Sequence, residues 1–314
     1  MKINYRDIKN ASEMTPVYNE QITGIPYCYN VSTEEFDKGF SYQKFDRDWY
    51  REDISLEKLI VCEEDGKISG FSDVAIADTI IDCKKEQKGF IRFFTYKPGN
   101  RHVGQAILEE SERYLKSFYI SQIKVFRIHY TNDHCGYNFY HLGYSLVSDK
   151  LGHIRALFGM NGYEISGGEI FMNQPDYIIT EPALPDKHIK VTISERTGNA
   201  YLPGVIVTAF RDGKEIGLCE SASAGEHSKA HEAQDWVFIT GLWIVNEMQG
   251  KGLGRYLLAR NLWEARKLGY KNTVISTDWK NFRALLFYTN YGYSVVDTCY
   301  EFSKSLIVPA SSDL

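Results

Sequence analysis

The chain has 314 residues, 43% of them hydrophobic and 25% charged, the make-up of a soluble globular protein long enough for about two domains. Its net charge of -5 argues against nucleic acid as a partner. No run of about eighteen apolar residues exists, and Met1-Lys-Ile-Asn-Tyr-Arg-Asp lacks the apolar core of a signal peptide; a membrane span is therefore not expected and the expected compartment is the cytoplasm. The acidic balance suits a cationic amine substrate, and equally a charge that only aids solubility. Cys28, Cys62, Cys83, Cys135, Cys219 and Cys299 are scattered without a Cys-x-x-Cys pair, the pattern of reduced, buried thiols rather than of a disulfide framework or a zinc site. Most of the 22 tyrosines read as core packing.

In chain order, Lys2 to Ile8 reads as a short strand, and Ser12 to Gln21 and Thr33 to Tyr42 as helical segments. Ser32 caps the second of these, with Glu35 three residues on. Leu59 to Phe71 is a strand pair around the hairpin signal Asp65-Gly66. A strand from Gly89 to Pro98 follows, then a helix opened by Arg101-His-Val-Gly-Gln-Ala106 and running to about Ser117. The next helix of this half has two placements. Asn132 to Gly143-Tyr144 is one, with Phe139 inside it; Ala156 to Gly162-Tyr163, with Phe158 inside it, leads into the strand-like Glu164 to Met172 and is slightly favoured. Asn173 to Asp186, with three prolines within eleven residues, reads as a linker, and Ile189 to Ile193 as the strand that opens the second half.

The second half repeats the first. Asp65-Gly66-Lys67 recurs as Asp212-Gly213-Lys214 at an offset of 147, and Arg101-x-x-Gly104 as Gln249-x-x-Gly252 at an offset of 148. The expected organisation is two domains, 1–173 and 174–314. About twenty residues separate Ile189 from Asp212, against about sixty at the corresponding place in the first half, so two helices are missing from the second.

The most informative stretch runs from Trp236 to Tyr293. An apolar strand, Trp236 to Val245, is followed by Gly250, Gly252 and Gly254 at alternate positions. An amphipathic helix carrying Tyr256, Leu257, Leu258, Leu262, Trp263, Ala265 and Leu268 begins at once. A helix N-terminus presents unpaired amides and the positive end of its dipole, and glycines let an anion approach the backbone closely. A P-loop is ruled out because Gly-x-x-x-x-Gly-Lys-Ser/Thr is absent. A dinucleotide fingerprint fails because Arg255 stands where its third glycine belongs, and no carboxylate lies near Gly269 and Tyr270.

Gln249-x-x-Gly252-x-Gly254, preceded by Leu242-x-Ile244 and followed by Asn281-x-x-Ala284-x-x-x-Tyr288-x-x-x-Gly292-Tyr293, resembles the acetyl-CoA signature of the GNAT superfamily of N-acetyltransferases. Asn246 departs from it, standing where that family usually has proline. The resemblance implies an α/β fold with a mixed sheet, in two tandem GNAT copies. In the second, the amides of Gly250, Lys251, Gly252, Leu253 and Gly254 would bind the pyrophosphate of acetyl-CoA, with Gln249 shaping the loop and Lys251 adding charge. A backbone amide near Ile244 and Val245 would receive the thioester carbonyl. Asn281 would contact the pantetheine arm or cap its own helix, or both. Tyr288 would protonate the departing thiolate or serve as packing.

The first copy has His102 and Val103 where the second has Gly250 and Lys251, and either helix placement puts a phenylalanine at the position of Tyr288; it is expected to be degenerate as a catalyst. No metal is expected: His227 and His231 are spaced i,i+4 but read as a solvated loop. The general base is open among Asp235, Glu220, the segment 226–232 and a water chain, since Phe238 fills the position of the glutamate that some GNAT enzymes use. The expected activity is acetyl transfer from acetyl-CoA to a primary amine, most readily of a small molecule, with a protein N-terminus or lysine also open, by direct attack in a ternary complex. The rivals are a longer acyl group and an acyl-CoA sensor without turnover. A homodimer, or the first domain, would supply the acceptor wall that the missing helices normally form.

Overall fold

The computed structural model describes residues 1–40, 45–47, 50–81, 84–126 and 139–306. The Asn132–Tyr144 helix placement falls largely outside these residues, as do Cys83 and Cys135. In chain order the strands are β1 (Lys2–Arg6), β2 (Phe45–Arg47), β3 (Tyr50–Glu64), β4 (Lys67–Ile81), β5 (Lys84–Tyr96), β6 (Gln122–Val125), β7 (Val147–Ser148), β8 (Glu164–Gln174), β9 (Lys190–Arg196), β10 (Gly204–Arg211), β11 (Lys214–Ser223), β12 (Trp236–Ile244), β13 (Asn272–Asp278) and β14 (Ser294–Ser305). The α-helices are α1 (Thr15–Gln21), α2 (Thr33–Phe40), α3 (Arg101–Lys116), α4 (Gly152–Met160), α5 (His231–Gln234), α6 (Leu253–Leu268) and α7 (Phe282–Tyr291). Among the described residues no helix is long and apolar enough to cross a membrane. Cys28, Cys62, Cys219 and Cys299 are free thiols.

The chain forms two compact units, one of Met1–Gly168 with the stretch from Cys299 onward, the other of Glu169–Thr298. A cut at 173/174 assigns the whole of the last strand to the second half of the chain, whereas the fold takes its part from Cys299 onward into the first unit. There, Phe302–Ser305 of β14 pair with Val125–Gln122 of β6, and Cys299–Tyr300 with Ser148–Val147 of β7. The end of β8 is in turn built into the second unit, where Glu169–Gln174 pair with Asp278–Thr273 of β13.

In the first unit β1, β3, β4 and β5 pair antiparallel in that order, and β5 pairs parallel with β6 over Gly89–Ile91. The hairpin turn carries positive φ at both Asp65 (50°) and Gly66 (76°), the backbone that a two-residue type I′ connection requires. Helix α2 opens as expected: Glu35 N donates to Ser32 Oγ at 3.1 Å, and Ser32 N to Glu35 Oε2 at 2.9 Å, a reciprocal capping box. An aromatic core of Tyr18, Phe36, Phe93, Phe94, Tyr140 and Phe158 is fully buried. The helix that carries Phe158 is α4, as favoured from sequence.

In the second unit β9, β10, β11 and β12 pair antiparallel in that order, and β12 pairs parallel with β13. Asp212 (φ 51°) and Gly213 (φ 77°) repeat the first unit's turn. Only a loop joins β9 to β10, so the two helices are absent from that interval. One expectation needs correction. The segment after Asn173 is not a free linker: Tyr177 is buried, donates its hydroxyl to Leu262 O at 3.0 Å and has the Arg266 guanidinium over its ring, which ties the segment to α6.

Helix α6 packs on the sheet through Leu257, Leu258, Leu262 and Ala265 and through one buried polar residue. Asn261 Nδ2 donates to Val205 O at 2.8 Å and to Cys219 O at 3.1 Å, so one amide anchors the helix to β10 and β11 together. Replacing Asn261 by Ala removes the amide donor from Cys219 O and leaves Val205 O to Ser221 Oγ at 3.3 Å. A loss of about 1–3 kcal/mol is expected in urea unfolding.

Candidate active site

The site of the second unit is made by a defect in the sheet. Strand β12 pairs with β13 only from Trp236 to Ile239, opposite Asn272 to Ile275. Just beyond, β12 carries an extra residue: Ile239 opposes Ser221 and Gly241 opposes Glu220, so Thr240 is bulged. After the bulge β12 stays with β11 and leaves β13. Val245 N donates to Ile216 O at 3.0 Å. Successive amides of an extended strand point to opposite sides, so Ile244 and Leu242 aim theirs away from β11, into the gap that β13 has vacated. Of the two amides expected to serve a carbonyl, Ile244 is the one so placed; Val245 is engaged within the sheet.

The chain then turns into α6. Gly250 (φ 74°) and Gly252 (φ 82°) take the left-handed backbone, which an L side chain adopts only at a cost of roughly 1 kcal/mol or more. The first intrahelical bond is Tyr256 N to Gly252 O at 3.0 Å, so the amides before it have no carbonyl a turn earlier to bind. Gln249 Nε2 donates to Ile244 O and to Asn246 Oδ1, each at 3.0 Å, and thereby pins the loop to the strand end. This is the loop-shaping role expected of it, and it makes use of Asn246.

A cavity of about 510 Å³ lies between this loop, the open edge of β12 and α7. It brings together Ile244, Gln249, Gly250, Gly252, Gly254, Asn281 and Tyr288 among the residues expected from sequence. Lys251 is exposed beside the cavity, and Leu253 is buried beneath it, so these two offer main-chain amides rather than lining side chains. Asn281 Oδ1 accepts from Ala284 N at 3.1 Å, capping α7, and the residue also lines the cavity.

Tyr288 is 7% exposed and packs edge-on against Phe287 and Tyr293. Its hydroxyl has no hydrogen-bond partner among the described residues. Tyr177, Tyr270 and Tyr293, by contrast, donate to Leu262 O, to Leu202 O and Pro203 O, or share a bond with Thr273 Oγ1. Burial pushes the Tyr288 phenol well above its ordinary pKa, with Cys219 adding to the rise, so the group is held as a proton donor.

Leu242 and Ala284 of the signature complete the lining together with Arg255, Arg283, Phe287 and Trp243, four residues to which the reading of the sequence assigned no role in the site. The two arginines were within reach of that reading: each falls in the first turn of a helix whose start had been identified, where an added cation strengthens an anion site. Arg255 is held over the Tyr291 ring at 5.5 Å. Phe238, at the position of a glutamate base, is buried in the sheet. Asp235 is tied to Lys271 Nζ at 3.0 Å at the start of β12, remote from the cavity lining.

The corresponding place in the first unit is closed. Tyr96, which matches Ile244 in the repeat, lies with its ring against Gly104; a methyl group there would come within 2.5 Å of the ring. Tyr96 Oη donates to His153 O at 3.0 Å, and His153 Nε2 donates back to Tyr96 O at 3.0 Å. The main-chain carbonyl at the open edge of β5 is thus already satisfied by α4.

A parted strand pair, a glycine loop into a helix N-terminus and the phenol of α7 meet in this one cleft. Residues 173–293 match the sequence model of the acetyltransferase (GNAT) family. No curated protein matches the sequence. Among solved structures, the fold is similar to a tandem GNAT protein from the clavulanic acid biosynthesis pathway, at 10% identity and TM-score 0.63, with 97% of this chain and 98% of that one covered. A GCN5-related N-acetyltransferase from Sphaerobacter thermophilus aligns at 11% identity and TM-score 0.59 over 96% and 95% of the two chains. The glucosamine N-acetyltransferase region of a fungal multi-domain GH3 β-N-acetylglucosaminidase aligns at 13% identity and TM-score 0.65, covering 96% of this chain and 38% of that one. The second half of the chain thus carries a match to the GNAT acetyltransferase family, and the chain as a whole has the tandem GNAT fold.

The second unit's tyrosines make its alkaline limit predictable. Burial pushes Tyr270 and Tyr291 up to about 12, and Tyr177, Tyr288 and Tyr293 further. An unfolded chain ionises its phenols near pH 10, so above that pH the unfolded state binds fewer protons than the native one. The stabilisation is complete below pH 10 and is lost as pH rises through the folded values. Phenolate absorbance is expected to lag behind that of free tyrosine and then rise together with loss of circular dichroism.

Proposed function

We propose that the protein transfers an acetyl group from acetyl-CoA to a primary amine of a small molecule, in a ternary complex formed at the second unit. The single observation that carries this reading is the coincidence, in one cavity, of the open β12 amides, the Gly250–Gly254 loop and the unpartnered hydroxyl of Tyr288. The amides at the start of α6 suit a pyrophosphate, and Lys251, Arg255 and Arg283 supply cations at the mouth. The pantetheine arm would run along the gap as an added strand does, with the amide of Ile244 or Leu242 donating to the thioester oxygen, an interaction worth a few kcal/mol when the donor is fixed in advance. Asn281 stands where it can meet the arm.

Each chemical demand then has a group. The amine attacks the thioester carbon, negative charge grows on its oxygen next to the β12 amides, and the C–S bond breaks as Tyr288 gives its proton to sulfur. A neutral phenol and a thiol have reference pKa values within about two units; burial raises that of Tyr288, and the same low-dielectric cleft disfavours a free thiolate, so the two acids shift in the same direction. The resident proton of Tyr288, secured by burial, is what a thiolate leaving group needs. The closed cleft of the first unit supports a single cofactor site per chain.

Gly254 gives a clean test of the cofactor site, because its backbone is ordinary helix and an added Cβ would meet only Ile244 Cγ1 at 3.6 Å. Gly254→Leu should fold normally yet fill the phosphate end. Calorimetric titration of the wild-type chain with acetyl-CoA is expected to give one site per chain, lost in this variant; undiminished binding by Gly254→Leu would count against the assignment. Tyr288→Phe should keep acetyl-CoA affinity within about twofold and lower kcat roughly a hundredfold in a thiol-release assay over a panel of amines. A protein that binds acyl-CoA without turnover would be indifferent to that change.

A further inference from the structure

Resting on the transferase reading above, we infer that Glu220 receives the proton of the acceptor amine. The argument begins with the faces of the sheet. Glu220 lies directly opposite Gly241, and Leu218 opposite Trp243; opposed residues of an antiparallel pair share a face. Leu242 and Ile244 point the other way, into the core beneath α6. A thioester held in the gap beside β12 is therefore walled on the α6 side by Leu242, Ile244 and Tyr288. The amine must reach the carbon from the opposite face, where Leu218, Glu220 and Trp243 stand.

Glu220 sits on that face at the bulge, beside the point where β12 leaves β13. Its side chain is half-buried, 28% exposed, and Arg196 Nε lies 3.4 Å from Oε1, which fixes one carboxylate oxygen and leaves the other available. The neighbouring position on β12 is a glycine, and a Cβ there would lie 4.0 Å from Glu220 Cβ, so room for a small group exists between the carboxylate stem and the strand. The first unit supplies an internal comparison. The same bulge recurs in β5 at Arg92, and Asp73 stands opposite Phe93 where Glu220 stands opposite Gly241. There the acid is fully buried and paired with Arg92 at 3.4 Å, and the phenyl ring fills the place of the missing side chain. Both copies keep a carboxylate at the bulge, and only the second opens space beside it.

The other carboxylates considered fit less well. Asp235 is bound to Lys271 at the far end of β12. Glu226 is pressed against Gly198 so closely that a methyl group there would overlap its Oε1 at 2.1 Å. In the balanced step, the nitrogen lone pair forms the C–N bond while the C–S bond breaks. One proton passes from nitrogen to the Glu220 carboxylate and one from Tyr288 to sulfur, and exchange with water restores both side chains.

Glu220→Gln preserves the shape of the side chain and removes its basicity. With an amine that the wild type acetylates, this variant should bind acetyl-CoA within about twofold of wild type, lose roughly a hundredfold or more in kcat/KM, and lose the acid limb of its pH profile. Glu220→Asp should keep that limb at a reduced rate. A role confined to the Arg196 ion pair would instead lower thermal stability and leave the pH profile unchanged in form. Wild-type kcat/KM and an intact acid limb in Glu220→Gln would overturn this inference and leave the transferase reading standing. Failure of the wild-type chain to bind acetyl-CoA would overturn both.

Discussion

The parting of β12 from β13 after Ile239 is the constraint on which the rest depends. A sheet edge inside a folded unit is costly, because its amides and carbonyls lie where neither water nor a neighbouring strand reaches them freely. The second unit confines that cost to a few residues. The Thr240 bulge turns the strand, Val245 returns to β11, and Gln249 satisfies the Ile244 carbonyl from the loop beyond. What remains open is a short row of donors beside a cavity, already ordered before any ligand arrives. The helix N-terminus that follows is a second set of unpaired donors, brought to the same place by two glycines in left-handed backbone. Under the proposed function, these unmade hydrogen bonds, with the cations of Lys251, Arg255 and Arg283 at the mouth, are what would hold an extended, phosphorylated ligand.

The two units show how one framework can be kept or spent. Both retain the hairpin turn, the bulge and the helix that follows the open strand, so the backbone defect is inherited in each. In the first, a tyrosine replaces Ile244, its ring covers Gly104, and His153 occupies the freed carbonyl. Filling the gap converts a binding feature into core and returns the stability that the open edge withholds. The second unit leaves these positions small or apolar and places the phenol of Tyr288 in the lining of the space.

Much of this was legible in the sequence, for identifiable reasons. Glycines and hairpin dipeptides impose backbone conformations locally, so the Asp-Gly turns, the start of α6 and the Ser32–Glu35 cap could be read without tertiary knowledge. The repeat spacing carried over to the strands and helices between them. The bulge could not be read, because an extra residue in one strand is defined only against its partner, and Thr240 is unremarkable in composition. Arg255 and Arg283 were overlooked because charge on a helix surface is common and their convergence depends on two helices meeting. The segment around Tyr177 resembled a linker by its prolines, yet a single aromatic residue whose hydroxyl finds a carbonyl on α6 was enough to hold it down. The destination of β14 was hidden for a related reason: its residues suit an edge position in either unit, and pairing alone decides between them.

That destination has a consequence for how the molecule is made. The strand that completes the first unit's sheet beside β6 and β7 follows the whole of the second unit in the chain. During synthesis the first unit must wait, with the edge of β6 unpaired, while some 130 further residues emerge. The second unit, in contrast, is one continuous stretch, Glu169–Thr298, complete once the start of β14 has been made. The half that comes first in sequence is therefore the half that finishes folding last, and a protein built this way needs its early edge to be short: β6 has four residues.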